Sequence, residues 1–439
     1  MAGLLHGDYT MDILVPIETS SRELQYKVYL CRLLAEKGFR CFLGSKNQIN
    51  YLMNYLSGFI YLDKGYHYGE SEKIYKKIKK NKGLIVSLDE EGGVDFEDNS
   101  TLLGRYSKNF FSEVDYTFLW GSKQYELIKG NLTDLTKVEV TGHPRFEMLK
   151  PEYHYLYKYE VDNLIKEHGK FLLINTNMGF GNNIKGDDFV RHNYGERFKK
   201  IDQNISFDKV KLELYLNLIK ELSLKTNLNI IIRPHPEEDH KPYKDAFGNQ
   251  KNIKIIFSGS VVPWLLAAQQ MIHPDCTTAI ESFFLDKPSY SFLPKNYPKD
   301  LVTILPVNAS KVFVSVSDII DELKNQSTEN AKFDSVNYSL LNDFFSFQNT
   351  SISQIVHRLI SLGKYRNSIN SKISHYLKTK LQFKAIKEHL VSLVYKKKIH
   401  QKSKGFNWKK VQKHNNAFIY KNKFANVKKI NCKLYMFKL

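Results

Sequence analysis

The chain has 439 residues, too many for one ordinary core and suited to two domains of roughly 150 to 200 residues plus an appendage, and its 42% hydrophobic and 25% charged content excludes a disordered or collagen-like chain. No uncharged apolar run approaches the roughly 18 to 20 residues of a membrane-spanning helix, residues 1–10 hold no basic-then-apolar leader, and Cys31, Cys41, Cys276 and Cys432 lack the spacing of a disulfide framework or zinc site, so a cytoplasmic protein is expected. The net charge of +19 is not spread evenly: after residue 360 the chain holds 21 of its 65 Lys and Arg but one of its 46 acids, Glu388, and the first 360 residues are close to neutral.

In chain order, short apolar or β-branched runs alternate with amphipathic helical stretches, the pattern of parallel sheets covered by helices. The runs predict strands at 12–17, 40–44, 58–62, 84–88, 116–120 and 138–141, with a helix over 22–37 whose Leu24, Val28, Cys31 and Leu34 share a face. This stretch, 11–150, reads as one Rossmann-like, acceptor-side domain. The Tyr-rich segment 153–159 reads as a linker. The pattern then restarts, with strands at 171–175, 229–233, 253–257, 271–273 and 289–292 and helices near 208–224, 261–270 and 278–285. That gives a second Rossmann-like domain, 160–330, for the nucleotide. The expected architecture is α/β, with both domains facing a central cleft and ligands beyond the carboxyl ends of the strands. Helices over 337–347 and 351–362, within 335–362, are expected to close the body. Residues 363–439 form a basic extension whose Tyr395–Lys398 and Phe406–Lys410 mix bases with aromatics, as suits an anionic membrane surface. A solvated basic face or a poorly ordered terminus is the plain alternative.

Three strand ends carry polar groups that packing does not require. After the run 84–88 come Asp89, Glu90, Glu91, Gly92 and Gly93. Three adjacent carboxylates repel, which should raise the pKa of at least one, and paired glycines admit a ligand close to the backbone. Such a carboxylate suits a general base or a nucleophile; a charged turn is the alternative. The second is Arg233-Pro234-His235-Pro236, where prolines hold Arg233 and His235 extended, as for phosphate binding or proton donation to a leaving phosphate. The third runs from His273 through Thr277 and Thr278 to Glu281: a strand stops and a helix begins with two hydroxyls, an arrangement that suits an anion, with Glu281 one turn on for a ribose hydroxyl. Ordinary capping explains the threonines alone. Two weaker loops are 175–181, with Asn177 and Gly179, and 141–145, where His143 and Arg145 either line the cleft or cap the next helix. No Asp-x-Asp occurs, so a metal-held nucleotide diphosphate is not suggested, and no metal site or cofactor is expected.

Together the segment 12–24 (with Glu18 and Arg22), the segment 38–44, the Asp-Glu-Glu-Gly loop, Thr141-Gly142-His143-Pro144-Arg145 and Arg233-Pro234-His235-Pro236 resemble the bacterial surface carbohydrate biosynthesis proteins, relatives of GT-B glycosyltransferases, over about 12–323. Met11 stands at that family's expected start, so residues 1–10 are expected to be either an extension or a non-native remnant. A looser resemblance links the acidic loop, the His-Pro loop and the Thr pair to bacterial sialyltransferases and Kdo transferases, which use CMP-activated acidic sugars. It implies Glu90 as base with Asp89 and Glu91 as alternates, His235 on the donor phosphate, Thr277 and Thr278 completing its cradle, and Glu281 on the ribose. The Thr pair replaces the usual Ser-Ser or Ser-Thr, and three acids stand where the family has two.

The function so implied is transfer of a Kdo- or sialic-acid-like sugar from a CMP donor to a glycan or lipid-linked acceptor in capsule or lipopolysaccharide synthesis, at the inner face of the cytoplasmic membrane and without nucleic acid. Glu18, Arg22, His143 and Arg145 would stand on the acceptor side, and Arg233, His273, Asn177 and Gly179 near the nucleotide. Two other classes compete: a polyol-phosphate transferase resembling those acting on CDP-glycerol, and a non-catalytic membrane or nucleic-acid adaptor built on the basic tail.

Overall fold

A computed structural model of the chain describes residues 11–93, 99–132, 134–196, 198–325, 338–364, 374–394, 406–418 and 426–438. They divide into two compact units, one formed by Met1–Gly92, Leu103–Met148 and Asn342–Leu439, the other by Gly93–Leu102 and Leu149–Leu341.

In the first unit β1 (Asp12–Ile17), β2 (Arg40–Ser45), β3 (Ile60–Asp63), β4 (Leu84–Leu88), β5 (Tyr116–Leu119) and β6 (Val138–Val140) lie parallel. Every residue of β1 and β4 is buried, as apolar runs covered on both faces require. At the start of β1 and β2 a buried fork locks the register: Arg40 Nε and Nη2 donate to Asp12 Oδ1 and Oδ2 at 2.6 and 2.8 Å, and the two residues are Cα partners.

The second unit holds β7 (Phe171–Asn175), β8 (Asn229–Arg233), β9 (Ile253–Ile255), β10 (Gln270–His273), β11 (Ser289–Phe292) and β12 (Lys311–Phe313), again all parallel, in the order β12-β11-β10-β7-β8-β9. Its core gathers Leu172, Ile174, Leu218, Ile230, Ile232 and Tyr243 between sheet and helices. The chain reverses its direction of travel across the sheet at β7 and β10, so the carboxyl ends of these two strands, Asn175 and His273, flank the position where doubly wound sheets take ligands.

The C-terminal stretch rejoins the first unit. Strands β13 (Asn426–Asn431) and β14 (Leu434–Lys438) form a hairpin, and β14 adds antiparallel to β2, giving the order β13-β14-β2-β1-β3-β4-β5-β6. Gly44 permits this close approach: a Cβ there would lie 2.7 Å from Leu434 Cδ1. Asn431 ties the hairpin down by donating to Gln48 Oε1 at 2.8 Å and the Leu381 carbonyl at 3.0 Å.

The predicted strands are present with ends shifted by a residue or two, whereas β12, β13 and β14 were not anticipated. The expected linker at 153–159 is instead a 3₁₀ turn, Pro151–Leu156, running into helix Lys158–His168, which is anchored by His168 stacked on Trp264 at 5.7 Å. In the tail, the buried Phe406 and the half-buried Trp408 both pack on Tyr435, at 5.4 and 5.7 Å. Tyr395–Lys398 lies outside the described residues. Among the described residues no helix is long and apolar enough to cross a membrane.

Candidate functional site

In the first unit the helix Ser20–Glu36 begins directly after β1. Its opening is capped by Glu23, whose carboxylate accepts from the Thr19 and Glu18 amides at 2.7 and 3.2 Å. One turn on, Lys27 pairs with Glu23 at 2.8 Å, donates to the Pro16 carbonyl at 3.0 Å and pairs with Glu90 Oε1 at 2.9 Å. Glu90 reaches this cation from the loop after β4, and the Tyr26 hydroxyl donates to the same oxygen. Lys27 and Glu90 are each 1% exposed. Burial alone would raise the Glu90 carboxyl, but Lys27, then His143 and the Tyr26 hydroxyl, overcome it and hold it at about 2. The expected rise from crowding of three acids is therefore reversed at Glu90, because a buried ammonium faces it.

His143 follows β6 and Gly142, whose φ of +76° favours glycine. Its Nδ1 caps the next turn by accepting from the Arg145 amide at 3.0 Å, which assigns the ring proton to Nε2. That nitrogen faces Glu90 Oε2 at 3.8 Å, and neither atom has a hydrogen-bond partner among the described residues. The ring lies between Tyr26 and Trp120, with centroids 5.3 and 5.0 Å away. Burial pushes its pKa down to about 3 against the pull of Glu90, so it is a neutral imidazole aimed at an ionised carboxylate. Arg145 lies over the Phe146 ring at 4.6 Å and donates to the Glu90 carbonyl at 3.4 Å. Arg22 adds positive charge near His143. Glu18 is paired with Lys64 at 2.5 Å, its side chain 36% exposed.

The three acids of the loop thus differ sharply. Asp89 is buried in an ion pair with Arg105, and its carbonyl accepts from Trp120 Nε1 at 2.7 Å. Glu90 is buried on Lys27. Glu91, with its side chain 26% exposed and Arg105 at 3.5 Å, is the acid of the triplet that solvent reaches.

In the second unit a separate network surrounds the ends of β7 and β10. Asn175 Nδ2 donates to Thr278 Oγ1 at 3.0 Å. Lys211 is buried between Asp208 and Asp275, at 2.8 and 3.1 Å. Burial would lower the Lys211 ammonium, but these two carboxylates hold it above its ordinary value. Asp208 accepts from the Phe180 and Gly181 amides at 2.8 and 3.2 Å, and Asp275 from the Thr303 amide at 3.2 Å and from Asn177 Nδ2 at 3.4 Å. Glu238 stitches the two loops together: it accepts from Thr176 Oγ1, the Met178 amide, the His235 amide and the Tyr243 hydroxyl at 2.8, 2.9, 3.1 and 2.6 Å. His235 and Gly179 are thereby brought together, so closely that a Cβ at Gly179 would stand 3.1 Å from His235 Nδ1.

Arg233, at the end of β8, is buried over the Trp264 ring at 4.9 Å and donates to the Ser258 and Gly259 carbonyls at 2.8 and 3.4 Å. Burial lowers its pKa to about 9, and no carboxylate among the described residues pairs with it. His273 departs from expectation. It is fully buried, Nε2 is 2.8 Å from Ser310 Oγ and Nδ1 accepts from the Cys276 amide at 3.3 Å, so both ring nitrogens serve the fold rather than a ligand. Of the Thr pair, the Thr278 hydroxyl is committed to Asn175 and Cys276, whereas Thr277 is half-buried and makes no side-chain hydrogen bond among the described residues. Glu281 is 4% exposed.

Sequence reasoning overlooked Tyr26, Lys27, Asp208 and Lys211, and saw in Glu238 only a remote metal-ligand partner of His235. For the ionic residues a signal was present: Glu23 with Lys27, and Asp208 with Lys211, place opposite charges about one helical turn apart on helices beside the sheets. Among the described residues no cluster of three or more His, Cys, Asp or Glu side chains is arranged to hold a metal ion.

No protein-family model matches the chain, and no curated protein matches it. Solved structures do. The wall teichoic acid polymerase TagF, in a variant soaked with CDPG, superposes with a TM-score of 0.51 at 13% identity over 82% of this chain and 89% of that one. A second TagF variant gives 0.52 at 13% identity, covering 81% and 90%. UDP-GlcNAc 2-epimerase from Methanocaldococcus jannaschii gives 0.50 at 12% identity, covering 80% of this chain and 100% of that one. The shared feature is the fold. The chain is an α/β protein of GT-B type with two Rossmann-like units.

Proposed function

We propose that the chain is a transferase of cell-surface glycopolymer assembly whose donor is activated by a cytidine nucleotide, with a CMP-linked acidic sugar of the Kdo or sialic acid kind as the transferred group. The observation that carries this reading is Arg233, a buried guanidinium that donates to backbone carbonyls but has no carboxylate partner among the described residues. A guanidinium buried without a counter-ion is costly, and a donor phosphate supplies the missing charge as a charge-assisted, bidentate partner. Arg233 ends β8, the strand next to β7, and stands two residues before His235, which faces Gly179. His235 and the half-buried Thr277 then complete the phosphate environment, and no divalent metal is invoked.

In the chemical step the acceptor hydroxyl gives its proton to a carboxylate of the acidic loop as its oxygen bonds to the anomeric carbon, and CMP departs with the bonding pair. Glu90 is the base the resemblance names, an ionised carboxylate buried on Lys27 whose Oε2 faces His143, and Glu91, which solvent reaches, is the alternate. A polyol-phosphate reading is favoured by the likeness to TagF, including a structure soaked with CDPG. There the hydroxyl oxygen would attack phosphorus of a CDP-linked polyol, and CMP would again leave. Incubation with a CMP-sugar or CDP-glycerol in the presence of glycan acceptors, followed by mass analysis of the acceptor, separates the two. A gain of an ulosonic residue supports the first, a gain of glycerol phosphate the second, and turnover confined to UDP-sugars opposes both.

A further inference from the structure

Helix His375–Val394 carries apolar side chains on two opposite faces. One face is used by the fold: Leu377, Leu381 and Ala385 are buried, and Glu388, the only acid after residue 360, turns the same way to accept from Gln48 Nε2 at 2.8 Å. At roughly 3.6 residues per turn, Tyr376, Phe383, Ile386 and Leu390 fall on the opposite side. They are 67%, 67%, 54% and 54% exposed, a stripe rather than scattered single residues. Lys380, lying 4.4 Å from the Tyr376 ring centroid, and the exposed Lys387 flank it.

We propose that this outward face lies flat on an anionic lipid surface, with the four apolar side chains in the boundary between headgroups and acyl chains and the lysines on lipid phosphates. Charge selects the occupant. The helix turns its single carboxylate inward, with Lys384 beside it, and sets Lys380 and Lys387 along the outward face, within a segment holding 21 bases, so an anionic surface is attracted and a second copy of the same face is repelled. The face differs from the one composition suggested, since Phe406 and Trp408 are spent on Tyr435.

Sedimentation of the full chain with vesicles of phosphatidylglycerol and phosphatidylcholine, or of phosphatidylcholine alone, tests the assignment. Binding should require the anionic lipid and weaken between about 0.1 and 1 M salt. A Phe383→Ser/Leu390→Ser variant should bind roughly tenfold more weakly or worse with an unchanged thermal midpoint, and Lys380→Glu/Lys387→Glu should show a comparable loss by the electrostatic route. Equal binding by wild type and both variants overturns the proposal, as does absence of binding by wild type. Self-association of the wild type that the Ser variant abolishes, without vesicle binding, would give the face to a second copy and likewise overturn it.

Discussion

Replacing Lys27 with Met removes the cation shared by Glu23, Glu90 and the Pro16 carbonyl. Holding the Glu90 carboxyl at about 2 instead of the ordinary 4.5 corresponds to about 3 kcal/mol of preference for its ionised form. Because the folded-state value is the lower one, that stability is complete above about pH 4.5 and is lost as pH falls through about 2. Without Lys27, burial dominates, the Glu90 carboxyl rises above its unfolded value, and the sign inverts: folding then favours the protonated acid and weakens as pH climbs past about 4.5. Breaking one partner out of a buried pair costs about 3 to 5 kcal/mol, so Lys27→Met should lose roughly that much at pH 7 and less at pH 4. Adding Glu90→Gln should restore more than about 1 kcal/mol, since it removes the stranded charge. Urea unfolding reads this through Trp120, which packs on His143 at 5.0 Å, in a background with Trp264 and Trp408 replaced by Phe. A Lys27→Met loss below about 1 kcal/mol, or strict additivity with Glu90→Gln, would refute the network's role.

Glu90→Gln should abolish transfer while leaving donor affinity within a few-fold, and the parallel Glu91→Gln and Asp89→Asn variants identify the base by which one is inactive in a turnover assay. Arg233→Ala and His235→Ala should each weaken nucleotide binding by about 1.5 to 3 kcal/mol, measured by calorimetry; unchanged affinity in both would remove the phosphate assignment. His273 has a folded-state value of about 3, below the usual imidazole, so its contribution to stability is present above about pH 6.5 and fades toward pH 3; His273→Gln should flatten that part of the stability curve. Deleting 426–439 should expose the edge of β2 and cause aggregation visible by light scattering, because β14 covers that edge with buried Leu434, Tyr435 and Phe437.

The fold was largely legible because its strands are short buried runs bounded by loops, as at Leu84–Leu88 and Asn229–Arg233. The C-terminal hairpin was not. In β13 the exposed Lys428 and Lys429 are the charges that blunt an edge strand, and in composition they are indistinguishable from a basic tail. The linker error has a similar origin, since helix Lys158–His168 shows mostly polar and tyrosine side chains and buries few of them. At the candidate site the polar loops were visible in sequence, but their partners were not. Whether Glu90 is a crowded acid or an ion-paired one depends on Lys27, 63 positions away in the chain, and whether His273 meets a ligand depends on Ser310 reaching its Nε2. Such pairings are set by packing between distant elements, which local patterns do not encode.

Titration of the full chain with CMP, CDP and UDP in excess chelator tests the central claim most directly. The account predicts saturable binding of a cytidine nucleotide that falls by at least about tenfold in Arg233→Ala and is indifferent to the Phe383→Ser/Leu390→Ser change. Tight UDP binding with no response to CMP or CDP, or cytidine binding unaltered by loss of Arg233, would contradict it.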